Sequence, residues 1–423
     1  MMSAAIHDPL YGTVHVDDIA RRLVDTPAFQ RLGRIRQLQM ASIVYRSAVH
    51  TRFGHAVGAY HLAKRAIRRL AETGQLTGVT EDDVRLVPIA ALVHDVGHYF
   101  GAHMLEEAGL QSVDHEQMAD IWLKEGQIAE ILNECGIPDA ADRIAAMIRH
   151  EGTNPLREIV AGPCDVDKID YIARDAYHCG LPLGFNRDEL LDGFVLITNP
   201  STGEKQIGLH ESALAAFEQL LYSKFNLYRA VYFHSTVRSA TVMTRELVLA
   251  ALEAGLLELD ELRIWTDEEI FILLGERVMR RRRNPEQREI VGRLIERIQA
   301  RNLYEPVIRF PLSSAPDLSV ARLREIEAEL VRVLGLERGD VLIDIPHKPT
   351  MLSTDVLILR EDGSIVNAGE LGPDDGFALG PSAEAFYHAS GRWGLYVSDA
   401  SAVSRDVARD ALLELIGETG GAR

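Results

Sequence analysis

Residues 84–98 read VRLVPIAALVHDVGH, and this stretch decides the fold. Its apolar residues run too continuously for a surface strip, so it predicts a buried helix, with Pro88 accommodated near the first turn. The helix runs into His94 and Asp95, and a bare carboxylate there is costly unless metal or hydrogen bonds compensate it. Adjacent residues point about 100° apart on a helix, so an ion must sit at the helix edge to take a group from each. His98 shares the face of His94 if the helix continues, either as a further nitrogen ligand or as a catalytic acid.

Two other stretches carry matching chemistry. RFGHAVG (52–58) sets Arg52 three residues before His55, and DVDKIDYIARD (165–175) sets Asp167, Tyr171 and Asp175 on one helical stripe beside Lys168. One carboxylate of that stripe can bind metal while Tyr171 contacts phosphate or sugar and Asp175 closes the polar network. His55, His94, Asp95 and Asp167 make a candidate ligand set for a divalent transition metal, and two imidazoles with two carboxylates suit Fe, Mn, Ni or Zn. His98, His103 and His115 are near enough in sequence to activate water or protonate a leaving group, while Arg52 and Lys168 can hold phosphate. The pattern points to phosphate-ester or phosphoanhydride hydrolysis. The plainer readings are a helix-terminal hydrogen-bonding pair at 94–95, a packed core histidine at 103 and a solvated acidic stripe at 167–175.

Bulk properties narrow the setting. The chain has 423 residues, 47% of them hydrophobic and 26% charged, the balance of a soluble globular protein. No apolar run approaches the roughly 20 residues that cross a bilayer. The opening MMSAAIHDPLYGTVHVDD lacks the flanks of a secretory signal, so the expected location is cytoplasmic. Cys135, Cys164 and Cys179 form no CxxC pair and read as reduced thiols. A formal charge of −18 disfavours broad nucleic-acid binding but leaves room for basic pockets at RLGRIRQLQ (31–39), AKRAIRRLA (63–71) and RVMRRRRNP (277–285).

The expected class is mainly α: a helical body over 1–310 and a smaller C-terminal α/β lobe over 311–423. Helices are expected over 16–41 with a break at Asp25-Thr26-Pro27, then at 53–71, 84–98, 101–109, 114–124, 127–135, 138–149, 166–178, 187–192, 211–249 and 267–309. FVLITNPSTGEKQIGL (194–209) reads as a hairpin. Beyond it, VIRFPL (307–312), VLIDIP (341–346), DVLILREDGSIVNAG (355–369) and WGLYVSD (393–399) read as strands. LSVARLREIEAELVRVLGL (318–336) and VARDALLELIGE (407–418) read as helices.

RFGHAVG, ALVHDVGH (91–98), HEQ (115–117) and DVDKIDYIARD, in that order, resemble the motifs of the HD-domain deoxynucleoside triphosphate triphosphohydrolases. The opening DPLYGTVHVDDIARRLVDTPAFQRLGRIRQLQ (8–39) and IPHKPT (345–350) extend the similarity over much of residues 7–350. The resemblance implies an HD-domain helical body whose metal ligands are His55, His94, Asp95 and Asp167. It implies catalytic roles for His98 and His115, with Glu106 beside His103 as an orienting partner. Arg52, Lys168, Tyr171 and Arg229, the last in NLYRAVYFH (226–234), would contact triphosphate, with His103 and Asp175 also on the substrate side. Gln37 and Leu38 would border the sugar, leaving little room for a ribose 2′-hydroxyl.

The implied reaction is hydrolysis of a dNTP to deoxynucleoside and triphosphate by a homodimer or homotetramer, with a divalent transition metal and additional Mg accompanying the substrate. No membrane or nucleic-acid partner is expected. Glu106 is one methylene longer than the aspartate of the family pattern, and Gly33 stands where a second basic residue would accompany Arg31 in the regulatory part. An absolute need for dGTP is therefore not expected. The competing readings are an HD-domain phosphatase or phosphodiesterase acting on another nucleotide, and a non-catalytic nucleotide-responsive interaction protein.

Overall fold

In the computed structural model, which describes residues 4–109, 115–280, 284–346, 353–377, 379 and 383–417, the helix leading to His94 is Glu81–Val93. It begins at Glu81 rather than Val84 because Thr80 caps it, its hydroxyl accepting from Asp83 N at 3.0 Å. Glu81, Asp82 and Asp83 face the positive end of the helix dipole. Pro88 thus lies in the helix interior, not in the first turn. The helix stops at Val93, and residues 94–97 form turns closed by Val96 N to Val93 O and His98 N to Asp95 O, both 3.0 Å. His98 reaches the site through this reversal, not by sharing a helix face with His94.

That helix packs on the helix Arg52–Glu72, which also packs on Val166–Cys179. Ala56, Ala59, Ala63 and Ala66 are fully buried along the shared helix, and their small side chains let the neighbours approach closely. Two strands absent from the sequence reading, β1 (Ala4–Asp8) and β2 (Gly12–Val16), form an antiparallel hairpin at the start of the chain. The expected helix over 16–41 is broken into Asp18–Val24, Pro27–Arg31 and short 3-10 turns at Leu32–Arg34 and Gln39–Ile43. Its break falls where expected, with Thr26 capping and Pro27 in the first turn. The expected 211–249 helix is likewise divided, into Leu214–Leu227 and Ser235–Glu253, by a π turn at Tyr228–Tyr232.

The segment 194–209 forms β3 (Phe194–Thr198) and β4 (Lys205–His210), paired with Phe194 opposite Leu209. The later strands are β5 (Glu305–Pro311), β6 (Val341–Asp344), β7 (Leu357–Leu359), β8 (Ile365–Asn367) and β9 (Arg392–Val397). They assemble as β3-β4-β7-β8, with β4 and β7 parallel, and as an antiparallel β5-β9-β6 sheet. Gly208 permits the β4–β7 contact, since a Cβ there would lie 2.4 Å from Leu357 O. Segments on both sides of residue 310 therefore share a sheet, and one apolar core contains Val14, Ala59, Phe217, Ile326, Ile358 and Leu395. Short strands cannot cover their apolar faces alone, so they dock on the helical body.

The protein is mainly helical, and among the described residues no helix is long and apolar enough to cross a membrane. The three cysteines are buried and unpaired. Arg281–Arg283 and His347–Thr350, from the basic run and the IPHKPT motif, lie outside the described residues. Thr80→Ala should cost about 1 kcal/mol in denaturant-induced unfolding, the typical worth of a capping hydroxyl, and Thr80→Ser should recover most of it.

Candidate metal centre and active site

His55 sits in the first turn of Arg52–Glu72, His94 at the end of Glu81–Val93, and Asp167 in the first turn of Val166–Cys179. One donor atom from each lies within 4.8 Å of the others. His55 Nε2 is 3.1 Å from His94 Nε2 and 3.0 Å from Asp167 Oδ1. Asp95 lies against this group, its Oδ1 3.4 Å from His94 Nε2 and its Oδ2 3.8 Å from His55 Nε2. Arg52 Nη1 donates to Asp95 Oδ2 at 2.8 Å, and His98 Nδ1 is 3.1 Å from Asp95 Oδ1. Because the chain turns after Val93, the adjacent His94 and Asp95 face one point, which an unbroken helix would allow only at its edge.

The hydrogen bonds fix which nitrogens face the centre. His55 Nδ1 lies 2.7 Å from Asp170 Oδ2, and His94 Nδ1 lies 2.8 Å from the carbonyl of Ala91. Both partners only accept, so each Nδ1 carries hydrogen and each neutral ring turns a lone pair inward at Nε2. Two lone pairs 3.1 Å apart repel unless something positive lies between them. With no cation, a proton takes that place: burial lowers the His55 imidazole, but hydrogen bonds to Asp167 and Asp170 raise it to about 10. His94 is raised too, Asp95 and Asp167 outweighing its burial. Two convergent imidazole nitrogens and a carboxylate suit a divalent transition metal equally well.

The acidic residues of DVDKIDYIARD divide the work. Asp165 caps the helix, accepting from Lys168 N at 2.7 Å and Gly162 N at 2.8 Å. Burial alone would raise the Asp167 carboxyl, but the hydrogen bonds from His55 and His94 hold it well below the usual range. Asp170, fully buried, orients His55, a carboxylate–histidine pairing common behind metal ligands. Burial opposes its ionisation, yet Arg174 and His55 bring it down to about 2. Asp170 was not singled out in the sequence. Its signal is the spacing, three residues after Asp167 and four before Arg174.

The centre opens on a cavity of about 930 Å³. Of the residues expected at the site, Gln37, Leu38, Arg52, His94, Asp95, His98, His103, Glu106, Asp167, Lys168, Tyr171 and Asp175 all line it, while His55 lies buried behind them. His98 Nε2 is 3.4 Å from His103 Nε2, and His103 Nδ1 is 3.1 Å from Glu106 Oε2. Lys168 Nζ donates to Asp165 Oδ2 at 2.7 Å and to Gly162 O at 2.9 Å. Asp175 binds His50 Nε2 at 2.7 Å and accepts from the Tyr232 hydroxyl at 2.5 Å. Arg229 is exposed on the π turn and is not among the lining residues, whereas Tyr228, Tyr232 and Phe233 from the same segment are. His115 starts the helix His115–Lys124, but its side chain lies outside the described residues. His50 and Tyr232 also escaped the sequence reading, since nothing in their local pattern marks them.

A histidine–aspartate cluster among helices, with donors spaced for a divalent metal, opens on this cavity, the kind of arrangement that a metal-dependent phosphohydrolase uses. Comparison with known proteins gives the family. Residues 52–175 match the HD domain and residues 191–372 match the HD associated region, and the chain belongs to the HD-domain phosphohydrolases. A protein of Methanocaldococcus jannaschii is 27% identical over 376 residues, covering 85% of this chain and 72% of that protein. The deoxynucleoside triphosphate triphosphohydrolase SAMHD1 homolog of Dictyostelium discoideum is 28% identical over 316 residues, 72% of this chain and 60% of that protein's length. The crystal structure of a phosphohydrolase from Bacteroides thetaiotaomicron shares the fold, with a TM-score of 0.73 at 20% identity, covering 94% of this chain and all of that one.

Metal and proton compete for the same lone pairs, which sets a sign for the pH dependence. Metal-free His55 holds its extra proton up to about pH 10, and metal binding must expel it. Affinity for Mn²⁺, measured by titration of metal-stripped protein, should therefore rise by up to about tenfold per pH unit between roughly pH 6.5 and 8.5 for each proton displaced. His94→Ala should abolish that binding while leaving helix content nearly unchanged.

Proposed function

We propose that the protein hydrolyses a dNTP to deoxynucleoside and triphosphate. The observation that carries this reading is the convergence on one cavity of the metal donors, the His98–His103–Glu106 row and the wall formed by Gln37 and Leu38. His55, His94, Asp95 and Asp167 are the proposed ligands, and a divalent metal bound there supplies Lewis-acid polarisation of phosphate and a lowered water pKa. In the reaction, water oxygen bonds to the α-phosphorus as the bond to O5′ breaks. One hydrogen of the water ends on O5′ and the other on the triphosphate.

The chain's own residues have distinct tasks in this scheme. His98, backed by His103 and Glu106, delivers the proton to O5′, and His115 is assigned to the charge developing at phosphorus. The two histidine roles are interchangeable in principle. Arg52, Lys168 and Tyr171 hold phosphate oxygens, but among the described residues the lining includes Asp95, Glu106, Glu107, Asp165, Asp167, Asp175 and Asp355 against Arg52, Lys168 and Arg238 as permanent cations. Such a cavity repels a bare triphosphate, which favours substrate arriving with Mg²⁺. At the sugar end, Gln37 Oε1 is buried without a hydrogen-bond partner among the described residues, an open acceptor for a sugar hydroxyl. Leu38 fills the space beside it, and Tyr171, Tyr232 and Phe233 give apolar surface for sugar and base.

A homodimer or homotetramer fits this reading. Ile264, Ile272 and Met279 are 57%, 71% and 80% exposed on or beside the helix Asp267–Arg280, apolar side chains that a second copy would cover. Unpaired cysteines accord with the proposed cytoplasmic location.

Products formed from dATP in ¹⁸O-water test the bond assignment: deoxyadenosine and labelled triphosphate are expected, and dAMP with pyrophosphate would overturn it. Leu38→Ala should raise the ratio of ATP to dATP turnover. An unchanged ratio would remove Leu38 from sugar discrimination.

A further inference from the structure

The shell behind the metal centre extends beyond Asp170. Arg174 forks onto that carboxylate, Nε to Oδ2 at 2.8 Å and Nη2 to Oδ1 at 2.9 Å. Its remaining nitrogen, Nη1, donates to Asp8 Oδ2 at 2.8 Å. Asp8 ends β1, and its other oxygen accepts from Leu10 N at 2.8 Å and Tyr11 N at 3.2 Å. These bonds close the hairpin turn, which Gly12 completes at a φ of +69°. One carboxylate thus fastens the N-terminal hairpin to the groups that aim His55.

The row has no slack. His55, Asp170, Arg174 and Asp8 are all buried, so water cannot readily replace a missing member. A Cβ at Gly58 would lie 2.0 Å from Asp170 Oδ1 and 2.5 Å from Arg174 Nη2, so only glycine at this position leaves room for the fork. The Tyr11 ring covers the guanidinium, 5.8 Å from its carbon.

The geometry points to Asp8 as a positioning residue for the metal centre: acting through Arg174 and Asp170, it sets how tightly His55 retains metal. Arg174 divides its charge between two carboxylates. Without the Asp8 charge, the whole guanidinium bears on Asp170, which becomes a poorer acceptor for the His55 Nδ1–H. A weaker bond there lowers the electron density at Nε2 and loosens the ring. The N-terminal hairpin, remote in sequence from every metal ligand, is in this way part of the metal centre.

Metal binding without nucleotide tests this independently of the substrate reading. Mn²⁺ titrated into the metal-stripped full chain should bind Asp8→Asn about 10–100-fold more weakly than the native protein, the usual range for an outer-shell partner. Asp8→Glu should recover most of the affinity. Arg174→Lys keeps a charge but loses the fork that holds the Asp170 carboxylate in place against His55, so it should lose affinity through misplacement of Asp170, and it serves if Asp8→Asn does not fold. Val14→Ala thins the buried face of the same hairpin without touching the row, and should lower Tm while leaving Mn²⁺ affinity unchanged. Native affinity in Asp8→Asn or in Arg174→Lys overturns the proposal. Equal loss in Val14→Ala and Asp8→Asn also overturns it, since the hairpin would then act only through stability.

Discussion

Two imidazole lone pairs are held face to face, with His55 Nε2 and His94 Nε2 3.1 Å apart, and much of the site exists to sustain that arrangement. Left alone the two atoms repel, so the fold must spend packing and hydrogen bonds to keep them together. Asp170 pins one ring and the Ala91 carbonyl pins the other. Asp170 and Ala91 are both buried within their helices, which gives the rings little freedom to turn away. A centre that is unfavourable when empty of positive charge is, by the same geometry, a strong seat for a cation.

The acidic character of the protein continues into its cavity, where carboxylates outnumber fixed cations among the described residues. The carboxylates are not interchangeable. Asp95 and Asp167 face the centre and are held ionised, Asp165 caps a helix, Asp175 is shared between His50 and Tyr232, and Glu106 contacts His103. Negative charge that gathers a metal also repels a polyphosphate, so substrate and metal ions are expected to enter the electrostatic balance together. That coupling is a stronger constraint on the chemistry than the net charge of the chain.

Local pattern carried the reading a long way. Apolar continuity announced the helix before His94, the Thr26–Pro27 pair announced a helix start, and the stripe Asp167–Tyr171–Asp175 does line the cavity. Errors arose where a short polar signal competed with an apolar one. The Thr80 cap lay inside what read as a loop, and helical propensity around residue 230 hid a π turn that presents Tyr228 and Tyr232 to the cavity while Arg229 stays exposed. The β1–β2 hairpin went unread because its strands are short and only half apolar.

By itself the sequence determined the mainly helical class, the ordered motifs of the HD family and which residue types gather at the site, because capping, periodicity and ligand chemistry are written over a few neighbouring residues. Only the tertiary structure decided what those residues do to one another. Asp170 differs from Asp165 and Asp167 by what lies opposite it, His55 on another helix and Arg174 one turn on, and Asp8 joins them only after the N-terminal hairpin has docked. The merging of segments around residue 310 into common sheets follows the same rule. Such partners are distant in the chain and adjacent in space, and their pairing energy appears only when folding has removed the water between them.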